Sequence, residues 1–156
     1  MHGTTHTQDL RRYVERSVGL SALSLRIIAV MKRLPEAVLS DFLNDSRFRL
    51  ALDDHVPGQG RAVWIACPKP GNGSRCVILK ASLADCPREF AHYVIAHELA
   101  HAHLRNGGWG DLEDPERAAD ALAARWGFKR PPRTIAKTAV DAFDETVPLV
   151  NRKFAP

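Results

Sequence analysis

His97, Glu98 and His101 are the residues of this chain best suited to chemistry. They form His97-Glu98-Leu99-Ala100-His101, an H-E-x-x-H pattern inside a stretch from Ala91 to Leu104 that reads as a helix. Positions four apart on a helix lie about 40° apart around its axis. His97 and His101 therefore project from one face, one turn apart, as two imidazole ligands of a single Zn²⁺ must. Glu98 lies about 100° round from His97, where its carboxylate can reach a water at the metal without binding the metal itself. Ala91, Ile95, Leu99 and Ala102 fall on the opposite face and should pack on a core. Gly107-Gly108 supplies the stop.

A catalytic zinc needs a third protein ligand. A metzincin would place glycine three and histidine six residues beyond His101, but Leu104 and Gly107 stand there, and no histidine follows His103. A downstream ligand must then be a carboxylate from Asp111, Glu113, Asp114, Glu116 or Asp120. Glu116 and Asp120 are best placed. Asp114-Pro115 is a helix start, with Asp as N-cap and Pro at the first helical position. The helix runs on through Trp126 and stops at Gly127. It carries Glu116 and Asp120 on one face, and its alanines allow close approach to the first helix. Convergence of His97, His101 and Glu116 would make a His₂Glu site.

H-E-L-A-H followed by E-R-A-A-D-A-L-A resembles the gluzincin arrangement H-E-x-x-H … E-x-x-A-(D/N)-x-x-A. It is most similar to the ImmA/IrrE-type metallopeptidases, and the membrane-linked M48 peptidases share both motifs. The resemblance covers residues 75–128 and is carried by the motifs. It implies a zincin-like fold, Zn²⁺ held by His97, His101 and Glu116, Glu98 as the catalytic glutamate, and Asp120 as the partner of a ligand histidine. It also implies a cytoplasmic endopeptidase whose protein substrate is a helix-turn-helix repressor, in stress or phage-defence settings; single-stranded DNA, met through the basic run after the second motif helix, is a further candidate as activator. The strand before the zinc helix would lie beside the cleft and pair with an extended substrate. A competing reading is a non-catalytic, zinc-stabilised module that binds nucleic acid or a regulator. Glu98 argues against it, because a structural zinc site has no use for that residue.

The elements that must position these groups form an α+β pattern. Residues 1–7 read as disordered, and Asp9 to Val18 has helical spacing. Ser21 caps a helix whose apolar stripe is Leu23, Ile27, Val30, Met31 and Leu34, and a short helix from Glu36 follows. Phe48, Leu50 and Leu52 alternate with wetter residues, as in a strand with one exposed face. Arg61 to Ala66 reads as a second strand, Gly71-Asn72-Gly73 as a hairpin loop, and Arg75 to Lys80 as a third strand covered on both faces, with Cys76 and Ile78 on one and Val77 and Leu79 on the other. The expectation is a small three-stranded sheet packed on an N-terminal helical segment and the two motif helices.

At 156 residues the chain suits one domain, ending in a basic segment over 129–156. It shows no signal pattern and no apolar run that would cross a bilayer, which disfavours the M48 alternative and a membrane partner. Three cysteines without a signal suit reduced thiols in the cytoplasm. Cys67 and Cys86 read either as small buried residues or as a thiolate that occupies the open zinc position. Tyr93, one turn before His97, reads as a packed ring or as an oxyanion donor at the cleft. The net charge is +4, and Lys129, Arg130, Arg133 and Lys137 form a run with no acid between them. That run is either a solvated face or a nucleic-acid contact. Thr134 to Val147 is amphipathic. His92 and His103 point away from the His97 face, and His55 reads as a surface residue.

Overall fold

Among the described residues, five helices and two short strands make an α+β fold. The computed structural model of the chain describes residues 3–53, 75–107 and 114–132. In order these are α1 (Gly3–Val18), α2 (Ala22–Met31), α3 (Glu36–Asn44), β1 (Phe48–Asp53), β2 (Arg75–Lys80), a 3₁₀ turn (Ala81–Ala84), α4 (Arg88–Gly107) and α5 (Pro115–Arg125).

Local signals set most of the boundaries. Ser21 caps α2 with a reciprocal pair: its hydroxyl accepts from the Ser24 backbone N–H, and the Ser24 hydroxyl accepts from the Ser21 N–H. The stripe from Leu23 to Leu34 is buried, as its spacing requires. Gly19 adopts a left-handed φ of 78° and closes α1 through its N–H to the Glu15 carbonyl at 2.9 Å. At its other end α1 reaches back to Gly3, into the stretch expected to be disordered. No proline interrupts the chain between Gly3 and Val18, so an established helix gains a hydrogen bond with each residue it adds.

The sheet differs from expectation. The described residues contain two strands, paired in parallel from Phe48 opposite Arg75 to Asp53 opposite Lys80. Parallel neighbours need a long connection. That connection, residues 54–74, carries the expected strand Arg61–Ala66, the Gly71-Asn72-Gly73 turn, His55 and Cys67, and lies outside the described residues. On β2 the buried face is Arg75, Val77 and Leu79, while Cys76, Ile78 and Lys80 are half-buried. The strand is therefore covered unevenly, and the charged Arg75 belongs to its inner face.

Arg75 is fully buried. Its guanidinium donates to the carboxylates of Asp41 on α3 and of Asp45, the latter at 2.8 Å, and its Nε donates to the Ala102 carbonyl of α4 at 2.9 Å. The Phe42 ring lies beneath the guanidinium, 5.1 Å from centroid to Cζ. A buried charge needs such partners on every side. The result is one side chain that ties β2, α3 and α4 together, one residue from His101.

A continuous apolar core joins all five helices to the strands. It includes Leu10, Ile27, Phe42, Leu50, Val77, Ile95, Leu99 and Leu122. Helix α4 crosses it and is buried on most of its circumference: Ala91, Ile95, Leu99 and Ala102 face the core as the spacing predicts. At 20 residues it is about 30 Å long, which makes it a rigid platform for the histidines. No described helix is long and apolar enough to cross a membrane.

Candidate metal centre

The site is built by two helices whose start and stop signals fix its geometry. On α5, the Asp114 carboxylate caps the helix by accepting the Glu116 N–H at 3.0 Å, and Pro115 occupies the first turn. This places Glu116 in the first turn and Asp120 one turn later on the same face. Ala118, Ala119, Leu122 and Ala123 are buried along the helix, and three of these four are alanines, so α5 packs closely on α4. Both carboxylates then meet the histidine face of α4.

Three donor atoms converge there. His97 Nε2 and His101 Nε2 are 3.0 Å apart, Glu116 Oε2 lies 3.0 Å from His97 Nε2, and Glu116 Oε1 lies 3.1 Å from His101 Nε2. The three residues form a group able to hold a metal ion. A four-coordinate ion with bonds of about 2.0–2.1 Å separates its donors by about 3.3 Å, near the 3.0 Å between the two imidazole nitrogens and the 3.0 Å from His97 Nε2 to Glu116 Oε2.

The chemistry of the donors asks for a cation as well. Asp120 Oδ1 lies 2.8 Å from His97 Nδ1. A carboxylate there accepts a hydrogen bond from Nδ1–H, which keeps the proton on that nitrogen and leaves the Nε2 lone pair facing Glu116 and His101. Burial opposes charge on His97, yet the Glu116, Glu98 and Asp120 carboxylates outweigh it and raise its pKa above the usual histidine value. The His101 and His97 rings beside Glu116 hold its carboxyl well below the usual carboxylate range. The carboxylate field that favours a proton here also favours a metal cation.

Exposure is graded across the group. His97 is buried, His101 is half-buried, and the Glu116 side chain is 48 % exposed. Solvent reaches the donors from the α5 side. Glu98 is half-buried and close enough for its charge to act on His97.

Other residues singled out by the sequence find different employment. The Tyr93 hydroxyl donates to Asp120 Oδ1 and accepts from Arg130 Nε at 2.9 Å. It is thus committed to Asp120 rather than offered to an oxyanion. Burial and the Asp120 carboxylate push its phenol up to about 12. Cys86 does not join the donor group. Its thiol donates to the Ser82 carbonyl at 3.4 Å, ahead of α4, and burial raises its pKa. His92 is buried edge-on to Phe128, and burial lowers its pKa. His103 lies among Phe42, Trp126 and Asp41.

The basic run is split. Lys129 and Arg130 are both exposed, but the Arg130 head lies along the site: its Nη2 is 3.1 Å from Asp120 Oδ2. Arg130 is the site residue that sequence reasoning missed as such, since a run of like charges reads as a surface. Arg133, Lys137 and the amphipathic Thr134 to Val147 lie outside the described residues.

Comparison with protein-family models, with characterised proteins and with solved structures finds no match to this chain.

Proposed function

We propose that the chain is a zinc-dependent endopeptidase of the gluzincin type that cleaves a specific regulatory protein, a helix-turn-helix repressor. One observation carries the hydrolase reading: the convergence of His97, His101 and Glu116, whose two carboxylate oxygens lie 3.0 and 3.1 Å from the two rings, with Asp120 on the far nitrogen of His97. Two imidazoles and one carboxylate favour zinc over magnesium or calcium, which prefer all-oxygen shells. The repressor as substrate rests on the motif resemblance to the ImmA/IrrE-type peptidases.

When bound, zinc supplies Lewis acidity that lowers the pKa of water toward about 7 and polarises a scissile carbonyl. The residues divide the remaining work. His97, His101 and Glu116 hold the ion, and Asp120 keeps the Nδ1 proton of His97 in place. Glu98 takes a proton from the attacking water and returns it to the leaving amine. The exposed Glu116 side of the centre is where an extended peptide enters.

Two measurements test this. Purified protein should contain about one zinc per chain by elemental analysis, as a single three-donor site holds one ion. Incubation with a helix-turn-helix repressor, should one be encoded beside its gene, is expected to yield one cut, read by intact-mass spectrometry. His97→Ala or His101→Ala should lose both metal and cleavage. Zinc-loaded protein that leaves the repressor whole would reduce the centre to a structural one. Full zinc content in both histidine variants would remove the centre altogether.

A further inference from the structure

The chain beyond α5 turns back onto α4 through one glycine. Gly127 takes a left-handed φ of 92°. Its N–H donates to the Ala124 carbonyl at 3.0 Å, and the Phe128 N–H donates to the Ala123 carbonyl at 2.9 Å. This paired closure reverses the chain at a helix end. A side chain at Gly127 would place its Cβ 3.1 Å from Arg33 Nη2, besides straining the backbone. After the turn Phe128 is buried against the His92 ring, and Arg130 arrives over Tyr93, with its Cζ 5.6 Å from the ring centroid.

Arg130, Tyr93 and Asp120 then close a ring of polar contacts. Arg130 reaches Asp120 Oδ2 through Nη2 and the Tyr93 oxygen through Nε, and Tyr93 donates to Asp120 Oδ1. Both oxygens of Asp120 are thereby held, and Oδ1 faces His97 Nδ1. We propose that Arg130 and Tyr93 are positioning residues: they fix the rotation of the Asp120 carboxylate, and through it the orientation of His97, and so set how tightly the centre holds its ion. The proposal rests on the reading of His97, His101 and Glu116 as metal ligands.

Two arguments separate this role from others. The Arg130 side chain is 65 % exposed, and exposed ion pairs add little to folding stability. Its effect should therefore appear in the metal, not in the fold. The planar fork of arginine suits two partners at once, the carboxylate and the phenol. The sign of the effect is also informative. The positive charge of Arg130 repels a cation, so its removal would tighten metal binding if only its field mattered. Loss of positioning loosens binding instead.

The test is zinc affinity by competition with a chromophoric chelator, using the full chain. Arg130→Ala and Tyr93→Phe should each weaken zinc binding about tenfold, the lower end of the range for partners of ligating histidines. The double variant should lose less than the sum of the two, because both act through Asp120. The melting temperature of the metal-free protein should stay unchanged in Arg130→Ala. Unchanged or tighter zinc binding in Arg130→Ala and Tyr93→Phe would overturn the positioning role. Absence of zinc binding in the wild type, or its persistence in His97→Ala, would overturn the metal centre on which that role rests.

Discussion

Glu98→Gln is expected to retain its metal and lose cleavage. Glutamine keeps the shape of the side chain and gives up the carboxylate's ability to take a proton. The three donor atoms belong to His97, His101 and Glu116, so zinc content should match the wild type. A positioned general base contributes about 10²- to 10⁴-fold, and the turnover of the repressor should fall by that factor. Glu98 also helps raise the pKa of His97, so its neutralisation weakens the field at the donors slightly. Measured together, zinc stoichiometry and single-turnover cleavage distinguish this from loss of the ion. Wild-type cleavage by Glu98→Gln would remove Glu98 from the chemistry.

Arg75→Met destabilises the fold without touching a metal donor. The guanidinium is fully buried between two carboxylates, a helix carbonyl and an aromatic ring. Methionine fills part of the volume and leaves the acids without their shared partner. Removal of one member of a buried ion pair costs about 3–5 kcal/mol. The lower end applies here, because Asp45 keeps Arg47 at 2.7 Å and the Asp41 side chain is 32 % exposed. Urea denaturation should show a loss of about 3 kcal/mol. Asp41→Asn in the same chain should restore part of it by removing an uncompensated charge. A loss below about 1 kcal/mol, the range of an exposed pair, would show that Arg75 is not the tie described.

The motif helices were legible because their chemistry is written in spacing. Four residues separate His97 from His101 and Glu116 from Asp120, and helical geometry turns each spacing into one face. Asp114-Pro115 and Gly127 mark the ends of α5 by local backbone preferences, and both marks hold. The apolar stripe of α2 was legible for the same reason. Long-range choices were not. Val77 and Leu79 carry the buried face of β2 because Arg75 beside them is drawn inward by Asp41 and Asp45, which precede it in the chain by 34 and 30 residues. An arginine at a strand end gives no local sign of burial. Arg130 was obscured by its own neighbours: its approach to Tyr93 depends on the reversal at Gly127, which a charge pattern does not contain. The start of α1 at Gly3 shows the converse, with weak helix formers carried along by a helix established further on.

Every group of the centre, from Tyr93 to Arg130, comes from one continuous run of the chain. Loop closure between its two helices is short and entropically cheap. The order of events during folding follows from this. The ligand pair on α4 can find Glu116 before β1 meets β2, whose partners lie farther apart in sequence than the two motifs do. Contacts that are near in sequence form early, so an ion captured there would seed the structure rather than decorate it. Refolding from urea should accelerate when zinc is present from the start, and an unchanged rate would separate metal capture from the early steps of folding.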